Sequence, residues 1–107
     1  MAVLISVRTY SAAEDFLIVL KERKYRPVFI GRLSMGSTGS PLLINEFTES
    51  GFAKVCTRRV LFPYSQKSFN EGIMPDISVN YAFDEFLNQK VDKDTAIAVE
   101  LLTKQIK

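Results

Sequence analysis

Ala2-Val3-Leu4-Ile5-Ser6-Val7-Arg8-Thr9-Tyr10-Ser11-Ala12-Ala13-Glu14 runs from a strand into a helix, and that reading decides the fold. Ala2 to Ser6 is a nearly unbroken apolar run, the pattern of a strand buried on both faces. Val7 to Tyr10 make a short connection, and Ser11 opens a helix. Ala13, Phe16, Leu17 and Leu20 fall at i, i+3, i+4 and i+7, which predicts one buried helical face. Lys21 to Arg26 close the helix, their cations suited to its C-terminal dipole. Pro27-Val28-Phe29-Ile30-Gly31 is a second short apolar strand. Strand, helix and strand with short links predict a parallel, right-handed βαβ unit.

Outward from this unit, Arg32 to Pro41 is rich in Ser, Gly and Thr and reads as a loop. Leu42 to Phe47 and Phe52 to Phe62 read as strands of a hairpin turning at Thr48-Glu49-Ser50-Gly51. Asn70 to Asp76 is irregular, and Ile77-Ser78-Val79 is a short edge strand. Tyr81 to Leu87 predicts a short helix. Asp94 or Thr95 can cap a last helix whose face is Ile97, Ala98, Leu101 and Leu102. The class is α/β, with a βαβ start, a central β hairpin and C-terminal helices.

Composition removes several function classes. The 107 residues are 47% hydrophobic and 24% charged, an ordinary globular balance. The net charge of +2 is spread along the chain, which gives no basic face for nucleic acid. The single cysteine, Cys56, forms no intrachain disulfide and reads as a small buried hydrophobe in a strand. The chain has no histidine, so it holds no Ser-His or Cys-His dyad and none of the common zinc sites. No apolar run approaches the length of a transmembrane helix. A start directly in an apolar strand, with no visible signal peptide, predicts a piece cut from a longer chain.

Ser11 admits two readings. A serine between strand and helix can be a nucleophile, with the Ala12 amide at the helix N-terminus offered to an oxyanion. Ser11-Ala12-Ala13-Glu14 also spells a capping box, in which Ser11 caps the Glu14 amide and Glu14 reaches back to the Ser11 amide. From spacing alone the cap is the simpler reading, because a nucleophile needs a base. Gly31-Arg32-Leu33-Ser34-Met35-Gly36-Ser37-Thr38 has the spacing of a phosphate-binding loop after a strand. Ser37, however, stands where that motif has lysine, and no helix follows to support a phosphate. The loop's glycines more simply supply positive φ and close backbone approach.

The ordered set Thr9-Tyr10-Ser11-Ala12-Ala13-Glu14-Asp15-Phe16, Phe29-Ile30-Gly31 and Gly36-Ser37-Thr38-Gly39-Ser40-Pro41-Leu42 resembles the S41 serine peptidases, the carboxy-terminal-processing or tail-specific family. Cys56-Thr57-Arg58-Arg59, Phe62-Pro63, Gly72-Ile73-Met74-Pro75-Asp76-Ile77 and Asp84-Glu85-Phe86-Leu87 extend the likeness over nearly the whole chain. The resemblance implies a crotonase-like (ClpP-like) layered β-β-α fold, of which residues 1–107 would be the C-terminal portion. It implies cleavage of peptide bonds through Ser11, with the Ala12 amide as half of the oxyanion hole and Gly36, Ser37, Thr38 and Gly39 lining the substrate groove. No metal or cofactor is implied. Bacterial processing proteases place a catalytic lysine where Ser37 stands, and a Glu-Pro pair where Arg32-Leu33 stand. The Gly-Ser-Thr-Gly loop is more similar to the branch containing tricorn protease, which takes its histidine from an earlier domain. The base would then lie outside this chain, with Glu71 as an assisting carboxylate by loose position.

The resemblance further implies peptide or protein substrates, the rest of a parent peptidase chain as a partner, and export to a periplasm or cell envelope. Exposed strand edges of a partial sheet predict self-association. Three other readings stand beside it: a binding module of the same fold that has lost its base, an acyl-CoA enzyme of crotonase type, and a structural domain in which Ser11 is a cap.

Overall fold

The computed structural model describes residues 1–48, 51–88 and 92–106. Strand β1 (Ala2–Ile5) leads through a turn to helix α1 (Ala12–Lys21) and on to strand β2 (Val28–Gly31). A hairpin of β3 (Pro41–Thr48) and β4 (Gly51–Cys56) follows, then strand β5 (Ile77–Ser78) and helices α2 (Phe83–Asn88) and α3 (Lys93–Ile106). β1, β2 and β5 form a parallel sheet in the order β1-β2-β5, with Ala2 opposite Val28 and Ile30 opposite Ile77. The expected α/β class and parallel βαβ start are therefore present.

Alternation along the strands feeds two cores. Val3, Ile5 and Phe29 face one side and pack with Leu17, Ile18 and Leu20 of α1 and with Phe69 and Ile73. Ala2, Val28 and Ile30 face the other side and meet Ala98 and Ile97 of α3 and Val79. Period-2 side chains on a sheet between helices give this division directly. Coverage of β1 is incomplete, since Leu4 remains 44% exposed, so this strand is not buried on both faces as its composition predicted.

The α1 face is also corrected. The buried stripe is Glu14, Leu17, Ile18 and Leu20, while Ala13 and Phe16 are exposed. A hydrophobic pattern could not count Glu14 as an inward residue, and its carboxylate fixes the rotation of the helix. The helix begins at Ala12, and Ser11 makes no side-chain cap. β4 ends at Cys56 rather than Phe62, because its register partner there is Pro41, the first residue of β3. Beyond it the chain has no strand to pair with, and only an isolated bridge, Leu61 to Ser68, follows. Cys56 lies exposed at the hairpin's foot, its thiol donating to the carbonyls of Thr38, Gly39 and Arg58, and is not a buried hydrophobe. Residues 49 and 50 of the predicted hairpin turn lie outside the described residues. α3 is capped by Asp92, which accepts the Thr95 amide at 3.0 Å, a few residues earlier than the expected Asp94 or Thr95. Its inward residues are those expected, with Ala98 buried and Ile97, Leu101 and Leu102 half-buried.

The hairpin stands away from these layers. Leu42, Ile44, Ala53 and Val55 share one face by register, and Leu42 and Val55 are about half exposed. The radius of gyration, 17.2 Å, exceeds the roughly 13 Å of a compact domain of this length.

The edge strand β5 is held by one carboxylate. Asp76 accepts a forked pair of hydrogen bonds from Arg26, at 2.7 and 2.8 Å, and the Phe29 amide at 2.9 Å. The basic run before β2 thus has a specific partner beyond the helix dipole. Arg26 chiefly, against the opposing push of burial, and then the Phe29 amide and Lys21, bring the Asp76 pKa down from 3.8 to about 2. A depressed carboxylate stabilises the fold in full above its unfolded pKa and loses that contribution as pH falls toward the folded value. Asp76→Asn should cost on the order of 1 kcal/mol at neutral pH, allowing for solvent screening. The gap between mutant and wild type should close between about pH 4 and pH 2, read from urea midpoints across that range. A gap that stays constant would show that the carboxylate's charge contributes nothing.

Candidate functional site

The β1-to-α1 turn is strained at one residue. Ser11 has φ 56° and ψ −127°. That is the mirror image of an extended conformation, open to glycine and costly for a residue with a Cβ. Cost of this kind, of order 1–3 kcal/mol, persists only where the surroundings over-determine the backbone. Here they do. The Ser11 amide donates to the Ser37 carbonyl at 2.8 Å, and the Met35 amide donates to the Thr9 carbonyl at 3.0 Å. The glycine loop is thus zipped along the turn that carries Ser11. Ser11 itself is exposed, and no hydrogen bond engages its hydroxyl among the described residues. The Ala12 amide, first in the helix, likewise has no acceptor among the described residues.

The loop is in turn fixed by Glu14, which is fully buried. Its carboxylate accepts the Ser34 hydroxyl at 2.5 Å, the Gly36 amide at 2.7 Å and the Ser37 amide at 2.8 Å. The Ser34 hydroxyl also accepts the Ile73 amide at 2.7 Å, tying in the segment before β5. Three donors converging on one carboxylate compensate its burial. The capping box is therefore not formed. The Glu14 side chain turns inward to the loop rather than back to the Ser11 amide, which Ser37 takes instead. The same geometry argues against a phosphate in this loop: the amides of Gly36 and Ser37 already cradle an anion supplied by the chain itself.

Gly36 has φ 76°, and a Cβ there would stand 2.8 Å from the Gly72 amide nitrogen. Thr38 donates to Asp15 of α1 at 2.5 Å, so a second carboxylate of the helix also holds the loop. Gly39, with φ 117°, packs against Arg58 and the Cys56 thiol. Gly36, Ser37, Thr38 and Gly39 thus form one continuous ribbon beside Ser11, with Ser37 exposed. Glu71 lies behind this ribbon. Its backbone approaches Gly36, while its side chain is exposed and makes no hydrogen bond among the described residues. Among the described residues no group of His, Cys, Asp or Glu is placed to hold a metal ion.

Sequence reasoning missed Glu14 and Ser34 as the organisers of this ribbon. The signal available was an acid inside an otherwise apolar stretch, facing a loop whose glycines and serines leave many amides in need of an acceptor.

Glu14→Gln should cost about 2–4 kcal/mol, because the new amide points its own donors at donors that remain buried. Urea unfolding checks it. A loss under roughly 0.5 kcal/mol would mean that the loop stands without the carboxylate.

A search of the curated proteins found no match to this chain. The family model for peptidase family S41 matches residues 1–79, from β1 through β5 and across Ser11 and the whole glycine loop. On that match, which takes in nearly three quarters of its length, the chain belongs to peptidase family S41.

Proposed function

We propose that this chain carries the nucleophile of a serine peptidase, Ser11, and that its base comes from outside the chain. The S41 family supports proteolysis in general. The observation that carries the finer reading is the Ser11 backbone, held at φ 56° and ψ −127° with its hydroxyl uncommitted. A residue without a task at that place would be glycine, since the strain brings the fold nothing. In the reaction Ser11 Oγ bonds to the scissile carbonyl carbon and its proton passes to an external histidine. The Ala12 amide receives the oxyanion. The same histidine protonates the leaving amine as the C–N bond breaks, and water then hydrolyses the acyl ester.

Gly36, Ser37, Thr38 and Gly39 line the groove in which an extended peptide lies as an added strand. The ordered motifs favour the carboxy-terminal-processing type of substrate, cleaved near its end. They also favour the layered crotonase-like domain, completed by the rest of a parent peptidase chain, and an exported location in periplasm or cell envelope. Glu71 assists as a nearby carboxylate. A second reading, a peptide- or ligand-binding module of this family without catalysis, is favoured by one observation. Ser37 stands at the lysine place, and among the described residues no titratable side chain bonds to the Ser11 hydroxyl.

Fluorophosphonate labelling separates the two readings. The parent protein containing this sequence should label at Ser11, its Ser11→Ala variant should not, and residues 1–107 alone should stay unlabelled. Absence of labelling in the folded parent would leave the binding module.

The backbone strain gives an independent check. Ser11→Gly should raise stability by about 1 kcal/mol while abolishing labelling. Ser11→Ala should leave stability nearly unchanged, since no cap is lost. A loss of about 1 kcal/mol on Ser11→Ala would restore the cap.

A further inference from the structure

On the α3 side of the sheet, the strand edge that α3 leaves uncovered borders a cleft of about 660 Å³ that takes in Arg32 from the start of the glycine loop. Leu4 and Val7 give it an apolar wall, with Tyr81 beside them, and Arg8, Arg32 and Asp94 give it charge. Tyr81 organises the polar end. The Arg32 guanidinium lies 5.3 Å from the Tyr81 ring centre, and the Asp94 amide donates to the Tyr81 hydroxyl at 3.3 Å. Three of the neighbouring charges are spoken for, while Arg8 is exposed to solvent. Lys93 pairs with Glu85, and Asp92 caps α3. Arg32 and Asp94 are not. Arg32 Nε and Asp94 Oδ1 are both buried, and neither has a hydrogen-bond partner among the described residues.

A buried donor on a guanidinium and a buried acceptor on a carboxylate each cost free energy unless something meets them. They do not satisfy one another, although both belong to one cleft. A molecule that meets both needs an acceptor for Arg32 and a donor for Asp94, and an anion and an ammonium match the charges of those side chains best. A planar guanidinium stacked on an aromatic ring suits a carboxylate, which it can hold through two parallel hydrogen bonds. A carboxylate suits an ammonium. The apolar wall of Leu4 and Val7 suits an aliphatic side chain beside them.

We propose that this cleft binds a small zwitterion with an aliphatic side chain, of the α-amino acid class, its carboxylate on Arg32 and its ammonium on Asp94. Neither Ser11 nor the ribbon from Gly36 to Gly39 lines this cleft, and the proposal does not depend on Ser11 being a nucleophile.

The test is an NMR titration of the intact chain with L-leucine, reading the Arg32 Nε–H and Tyr81 resonances. L-leucinamide, which lacks the carboxylate, and N-acetyl-L-leucine, which lacks the ammonium, serve as paired probes. L-leucine should saturate the site in the millimolar range, and each analogue should bind at least about tenfold more weakly, the loss of one charge-assisted hydrogen bond. Arg32→Gln should weaken L-leucine by a similar factor while narrowing its advantage over leucinamide. Asp94→Asn should narrow its advantage over the acetylated analogue. Absence of saturable shifts, or equal binding of all three probes, overturns the proposal. Equal binding by both variants and the unaltered chain does so too. The analogue comparison needs only the unaltered chain, so an unfolded variant leaves the test decisive.

Discussion

A carboxylate buried without a cation among the described residues governs this molecule. Glu14 sits in the middle of an apolar helix face and would be costly there alone. Its three donors come from a stretch that begins 20 residues later, so the cost is met only once α1 and the glycine loop have come together. The helix rotation, the loop path and the position of the segment before β5 are consequences of that one meeting. Ser34 extends it by donating to Glu14 and accepting from Ile73, which places a single hydroxyl between three parts of the chain. A carboxylate met by three fixed donors specifies geometry as well as contributing stability. What it specifies here is the carbonyl of Ser37, and through it the backbone of Ser11.

The parts of the fold legible in the sequence were those written in side-chain period and punctuation. The apolar runs at β1 and β2, the helix between them, the hairpin and the inward residues of α3 all follow from alternation, 3.6-residue spacing and turn residues. The errors share a cause. Phe16 reads as core and Glu14 as a capping acid because neither periodicity nor the S-x-x-E spelling knows a residue's partners. β4 was extended to Phe62 because a strand-like composition continues past the point where hydrogen-bonding partners run out. The cap of α3 fell on the wrong acid because Asp92, Asp94 and Thr95 are equally plausible until the first helical residue is known.

The candidate site was legible as a set of neighbouring segments but not in its arrangement. Ser11, Ala12 and the ribbon from Gly36 to Gly39 were named from motif order, and the fold brings them side by side. The reason they meet was invisible, because S-x-x-E is spelled identically whether the acid turns back to its own helix or out to a loop. Positive φ at Ser11 was equally hidden. Nothing in a serine's chemistry announces a backbone that glycine would adopt more cheaply, and only the hydrogen bonds joining the turn to Met35 and Ser37 reveal the constraint.

The anion already seated in the glycine loop has an evolutionary consequence. A phosphate-binding loop and this loop differ in sequence by little, and a single codon change at position 37 would complete the familiar spelling. The result would still be a decoy, because the amides that make such loops useful are held by a tethered competitor at fixed, very high local concentration. Besides the missing helix, two changes would be needed, and the first of them, at Glu14, would have to survive the damage it does to the loop it frees. Descendants of such a chain are thereby kept on one side of a functional divide, by what the loop already holds as much as by what it lacks.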